Sequence, residues 1–179
     1  ILELDPNQFG PYTLHAQLAH GRGDLEEAER IGRLSARIAP EHPWQRTVEG
    51  MVALRRGDAD GALATLSKAA EAAPDDAQVR HALGFAYFAK QHYAFAEQAF
   101  RGVLETSPNA TTLRALLAEL LQRQGRHGDA ADELAPLLAD EGTATPALRR
   151  YAGELELVAG RIDRALPLLR DALAAQPGD

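Results

Sequence analysis

The chain has 179 residues, 45% of them hydrophobic, with 26 acidic against 19 basic residues and a formal net charge of −7. That length and apolar content suffice for one compact domain or a short repeat array. The acidic balance argues against nucleic acid as the main partner, because phosphate binding rests on clustered Lys and Arg. The absence of cysteine excludes disulfide frameworks, thiol catalysis and Cys-ligated zinc, and no apolar run approaches the roughly 20 residues of a membrane span.

Alanine (35) and leucine (26) dominate while Thr and Val are scarce, which favours helix over sheet. Lys68 and Lys90 stand against 17 arginines, a usage that fits a GC-rich bacterial genome. A fixed period runs along the sequence. Pro6, Pro40, Pro74 and Pro108 are each 34 residues apart. Gly23, Gly57, Gly125 and Gly160 form a second column, with Gln91 in the missing place, and Ala28, Ala62, Ala96, Ala130 and Ala165 form a third. The last spacing of each of these two columns is 35, so one residue is inserted near Thr143 to Thr145. Each column has a physical task. Proline stops a helix, glycine turns the chain between two helices, and a small alanine lets helices approach closely.

In chain order, the pattern predicts a helical stub at 1–5, then five helix pairs. The first helices cover 11–21, 43–55, 77–89, 111–123 and 146–158. The second cover 25–38, 59–72, 93–106, 127–140 and 162–175. Pro136 falls inside a second helix, where it removes one backbone bond and should kink it; Pro167 lies nearer its helix start. After Pro136, Gly142 is expected to cap the helix, and Thr145-Pro146 to restart the next as N-cap and first residue.

The columns resemble the tetratricopeptide repeat family. Repeat 77–110 shows Leu83, Gly84, Tyr87, Ala96, Phe100 and Pro108 at the family's places, and repeat 43–76 shows Gly50, Gly57, Ala62, Leu66, Ala69 and Pro74. Repeats 9–42, 111–145 and 146–179 match less fully, and residues 1–8 look like the end of a preceding repeat. The resemblance implies an all-α fold, a right-handed superhelical solenoid of antiparallel helix pairs. Its first helices would line a concave groove. It implies a non-catalytic scaffold that binds a protein or peptide, without cofactor or metal.

Concave positions in this family are about 2, 5, 9, 12 and 13 of each repeat. They correspond to Trp44, Thr47, Met51, Leu54 and Arg55, then to Gln78, His81, Phe85, Phe88 and Ala89. The only Trp and the only Met are among them, and an apolar strip of this kind suits a partner's peptide or amphipathic segment. Thr13, Gln17 and His20 flank it on one side, and Glu119, Gln122, Arg123, Arg150 and Glu154 on the other. Family members that hold acidic chaperone tails use Lys and Asn at such places, and those are absent here. Two alternatives stay open: a positioning arm of a larger enzyme or export machine, and a self-assembling scaffold.

Other motifs have plainer readings. Arg22-Gly23-Asp24 and Arg56-Gly57-Asp58 both fall at inter-helix turns, so turn chemistry accounts for them. Asn109-Ala110-Thr111 is a formal glycosylation sequon at a repeat junction. His15, His20, His42, His81, His92 and His127 form no metal-binding spacing. Arg46, Arg80, Arg114 and Arg149 recur at position 4, where their stems should pack and their heads reach water or nearby acids. The chain begins with Ile inside a helix and ends without a polar cap, so it reads as a piece of a longer protein. Leu166, Leu169 and Leu173 should then stay partly uncovered and drive weak end-to-end association.

Overall fold

The computed structural model describes residues 25–38 and 43–175. The expected stub at 1–5, the helix at 11–21, the first Arg-Gly-Asp and the flanking Thr13, Gln17 and His20 lie outside the described residues. Those residues form nine α-helices and no strand: α1 (Leu25–Ile38), α2 (Pro43–Arg55), α3 (Ala59–Ala72), α4 (Ala77–Ala89), α5 (Tyr93–Thr106), α6 (Thr111–Arg123), α7 (His127–Ala139), α8 (Pro146–Val158) and α9 (Ile162–Ala174). Each agrees with the periodicity to within one residue.

Paired helices are joined by three-residue turns and pack side by side, so they run antiparallel. The turns share one geometry. Gly57, Gly125 and Gly160 adopt positive φ of 83°, 75° and 76°. Behind them the amides of Asp58, Arg126 and Arg161 donate to the carbonyls of Ala53, Leu121 and Glu156 at 2.8–2.9 Å. This is a left-handed helix cap that glycine adopts at no steric cost. Gln91 takes the same conformation, φ 59°, with the same bond from His92 to Tyr87. The alanine column is sealed: Ala62, Ala96, Ala130 and Ala165 are fully buried. Small residues at position 8 receive large ones from position 24. A Cβ on Gly50 would collide with Leu66, one on Gly84 with the Phe100 ring, and one on Gly153 with Leu169.

The second Arg-Gly-Asp is a turn, as its place implied. Asp58 caps α3 by accepting from the Gly61 amide at 2.9 Å, and Arg56 pairs with Glu29 of α1. Asp76 caps α4 through the amides of Gln78 and Val79. The irregular junction after α7 departs from expectation in one respect. Gly142 does not cap the helix. Asp140 ends it in an extended conformation, and the Thr143 hydroxyl donates to the Leu137 carbonyl at 2.6 Å. A hydroxyl reaching back to an orphan carbonyl does the work that a left-handed glycine does elsewhere. Thr145 and Pro146 do restart α8, with Thr145 accepting from the Leu148 amide. α7 continues through Pro136 and α9 through Pro167.

The chain divides into two compact units, Ile1–Val103 and Leu104–Asp179. In the N-terminal unit, Ile31, Trp44, Val48 and Val52 form one apolar cluster and Ala62, Leu66, Ala82 and Ala86 another. In the C-terminal unit the fully buried residues include Leu117, Leu120, Leu121 and Leu134.

Candidate functional site

The sequence-derived groove residues separate by unit. In the N-terminal unit, α2 and α4 pack together and bring Met51, Leu54, Arg55, Phe85, Phe88 and Ala89 around one open hollow of about 380 Å³. Met51 and Leu54 come from the outer side of α2, and their inner atoms rest on the Ala62–Leu66 cluster. Phe85 stands edge-on to the buried Phe100 ring, 5.5 Å between centroids, and His81 stands edge-on to Phe85 at 4.9 Å. Phe88 leans on Tyr93 of α5 at 6.0 Å. Phe85, His81 and Phe88 are half-buried, each fixed on its inner side and open on its outer side. Edge-to-face contacts of this kind hold a ring in one orientation, so the hollow is walled by positioned aromatics. The only charged residue lining it is the exposed Arg55.

Trp44 and Thr47, expected on the same open face, lie in the interior, 7% and 3% exposed. The Trp44 ring packs in the cluster with Ile31, Val48 and Val52. Its indole N–H donates to the Gln78 Oε1 at 3.1 Å. Large size and a partner for the buried N–H make Trp44 a packing residue. Of the α2 residues expected there, Met51, Leu54 and Arg55 line the hollow.

The C-terminal unit carries a different face. Arg123 donates twice to Glu119 Oε1, at 2.8 and 3.1 Å, and Arg150 lies 3.9 Å from Glu154. The Tyr151 hydroxyl of α8 donates to Gln122 Oε1 of α6 at 2.8 Å. Burial first, and the Glu119 charge second, raise the Tyr151 pKa above its ordinary 10.0. These side chains satisfy one another, and their face is polar where the N-terminal one is apolar.

One feature escaped the sequence reading. Glu156 occupies position 11, where the family places Tyr or Leu, and it is only 5% exposed. Arg161 and Arg164 hold it at 3.5 and 3.7 Å, and both also reach Asp132, at 2.9 and 3.1 Å. The signal was a carboxylate in an apolar column; its answering arginines follow five and eight residues later. The position-4 arginines, singled out from the sequence, add bonds to backbone carbonyls that it did not foretell. Arg80 donates to the carbonyls of Pro74 at 2.8 Å and Gly102 at 3.3 Å. Arg114 repeats the first bond on Pro108 at 3.0 Å and adds Glu133 at 3.3 Å. The packing reading of this column holds for both.

Among the described residues, no group of three or more His, Asp or Glu side chains is placed to hold a metal, and no helix is long and apolar enough to cross a membrane.

Comparison with known proteins agrees with this architecture. One tetratricopeptide repeat profile matches residues 47–111 and 115–179, and another matches residues 11–31. Superkiller complex protein 3 of Mus musculus is 28% identical over 164 residues, 89% of this chain but 10% of that protein, so the chain spans about a tenth of that relative's length. Among solved structures, MamA AMB-1 superposes with a TM-score of 0.74 at 21% identity, covering 98% of this chain and 95% of the other. A thermophilic TPR protein of Thermus thermophilus gives 0.66 at 20% identity, covering 96% and 93%. These likenesses show the fold, an all-α solenoid class built from helix pairs. With profiles covering more than half of its residues, the chain belongs to the tetratricopeptide repeat family, whose members serve in general as scaffolds for protein–protein interaction.

Proposed function

We propose that the chain is a non-catalytic interaction module whose binding site is the hollow on α2 and α4, and that it takes an amphipathic segment of a partner protein. The observation that carries this is the hollow itself: about 380 Å³, lined by Met51, Leu54, Phe85, Phe88 and Ala89 from the first helices of two successive repeats, with Arg55 at its edge. Packing within the fold needs only the inner side of these residues, and the open side offers an apolar surface of the sort that anchors partners. Aromatic rings held by their neighbours lose little freedom on binding, and Met51 adapts to an irregular ligand. A guanidinium beside an apolar hollow favours a segment with an acidic residue next to its apolar anchors.

The test is selection of peptides on the intact chain from a displayed library, followed by calorimetric titration. Selected peptides should carry apolar anchors at helical spacing. Met51→Glu should weaken them by about 30-fold, on the order of 2 kcal/mol, with the helical circular dichroism unchanged. Peptides that bind Met51→Glu and Phe88→Ala as tightly as the parent chain would place the site elsewhere.

A further inference from the structure

We propose that Met51 is a reversible oxidation site: hydrogen peroxide converts its thioether to a sulfoxide and so turns the apolar hollow on α2 and α4 polar. The oxidation stands on its own, while its effect on a partner rests on the reading of that hollow as the binding site. The chain holds no cysteine and one methionine, so its sulfur chemistry is confined to one atom. The side chain that carries it lines the open hollow of about 380 Å³, beside Leu54, Phe85 and Phe88. Met51 is half-buried, its inner side packed on the Ala62–Leu66 cluster. A cavity needs about 10–15 Å³ to admit one water, so peroxide, little larger than water, has ample room beside the thioether. Trp44, the one indole of the chain, is closed to oxidants at 7% exposure.

The fold tolerates the change. A methionine sulfoxide inside a core disrupts it, because the S–O dipole is left among apolar groups without a partner. At Met51 the hollow leaves space for the added oxygen on the open side. Arg55 lines the same hollow, and a guanidinium carries N–H donors suited to a sulfoxide oxygen. The chain itself shows that this lattice place accepts polar side chains. Met51 is the ninth residue of its repeat, and the ninth residues of repeats 111–145 and 146–179 are Glu119 and Glu154. Their helices, α6 and α8, each run 13 residues, as α2 does. Oxidation thus gives one repeat of the N-terminal unit the kind of surface that the C-terminal unit has by sequence.

The chemistry balances with peroxide alone. A lone pair of the thioether sulfur attacks one peroxide oxygen, the S–O bond forms as the O–O bond breaks, and the departing hydroxide takes up the remaining proton as water. Sulfur loses two electrons and peroxide gains them. The reverse step belongs to methionine sulfoxide reductases, one for each sulfoxide epimer. Two of their thiols become a disulfide, the sulfoxide oxygen leaves as water and the thioether is restored. Met51 is also the adaptable member of the hollow's wall, the one that fits an irregular partner. Its sulfoxide presents a polar, chiral group to the apolar anchor it would otherwise cover, so the reduced chain binds such an anchor and the oxidised chain rejects it.

Dilute hydrogen peroxide added to the intact chain, followed by mass spectrometry, far-UV circular dichroism and titration with a hydrophobic dye, tests this. The expected result is a gain of one oxygen mapped to Met51, at a rate within about 10-fold of that of a methionine in an unstructured peptide. Circular dichroism should be unchanged and dye binding lowered. Met51→Leu should bind the dye equally before and after peroxide, Met51→Gln should bind it as the oxidised chain does, and the reductases should restore the parent signal. A peptide selected on the reduced chain should bind the oxidised chain about 10-fold more weakly. A Met51 that resists peroxide in the folded chain, helical signal lost in step with oxidation, or dye binding indifferent to oxidation would each overturn the proposal. So would a peptide that Met51→Glu weakens and the sulfoxide does not. If no peptide is selected at all, the groove reading falls, and the dye measurement still decides this one.

Discussion

At the ninth position of their repeats the two compact units make opposite choices. In the N-terminal unit that place holds Met51 and Phe85, both lining the apolar hollow. In the C-terminal unit it holds Glu119 and Glu154, each beside an arginine of its own helix, Arg123 and Arg150. The backbone lattice is the same and the helices begin and end at equivalent residues. Position 9 is only partly covered by the fold: Met51 rests by its inner side on the Ala62–Leu66 cluster and Phe85 on the Phe100 ring, while Glu119 and Glu154 meet arginines, so the same lattice accommodates either chemistry there. One unit keeps an open apolar surface. The other closes its surface with ion pairs and with the Tyr151–Gln122 bond.

The contrast can be broken most forcefully at Phe100. Its ring is fully buried, so Phe100→Ala should cost about 3–5 kcal/mol in urea unfolding. Phe85→Ala, which removes a ring open on one side, should cost clearly less. Equal losses would make Phe85 a core residue and remove the distinction between the units. A smaller effect is expected in the C-terminal unit. Tyr151→Phe deletes one half-buried hydrogen bond, about 1 kcal/mol. The raised pKa of Tyr151 adds a pH signature. Its stabilisation is fully present below the unfolded value near 10.0 and declines as pH climbs through the higher folded value. Stability measured from about pH 9 to about pH 12 should therefore fall less steeply in Tyr151→Phe than in the parent chain. The smallest effect is at Glu119. Its pair with Arg123 is exposed, and Glu119→Leu should change stability by less than about 0.5 kcal/mol. It should also enlarge the apolar surface of that unit, read as increased binding of a hydrophobic dye.

Much of this architecture was legible because its constraints are local and repeat. A glycine at 57 and another at 125 report the same left-handed turn, and the column could be extended to Gln91, where the side chain conceals the turn from composition alone. Gln91 holds φ 59°, a conformation that costs an L-residue roughly 1–2 kcal/mol, so Gln91→Gly should raise stability by about 1 kcal/mol, visible as a higher denaturant midpoint. The site was legible only in part. Met51, Leu54, Arg55, Phe85 and Phe88 do surround one hollow, but Trp44 is buried, because a position number fixes the direction in which a side chain leaves its helix and not what the neighbouring helix does with it. The Glu156 network was not foreseen for a similar reason: its arginines lie on a turn and on the next helix, and only the folded pair brings them to the carboxylate. The Thr143 cap replaced the expected glycine because a hydroxyl six residues on can reach a carbonyl that no spacing rule marks.

The arginine at position 4 carries a consequence for how the molecule comes apart. Arg80 leaves α4 and ties the proline linker after α3 to the helix that follows, by way of the carbonyls of Pro74 and Gly102. Arg114 makes the equivalent tie at Pro108. A helix pair cannot peel away without breaking a bond that belongs partly to the repeat before it. In a linear lattice this is a nearest-neighbour coupling, the quantity that decides whether segments melt one by one or together. Removing the guanidinium would lower the coupling while leaving each repeat's own packing in place, and the unfolding transition would broaden before its midpoint moved.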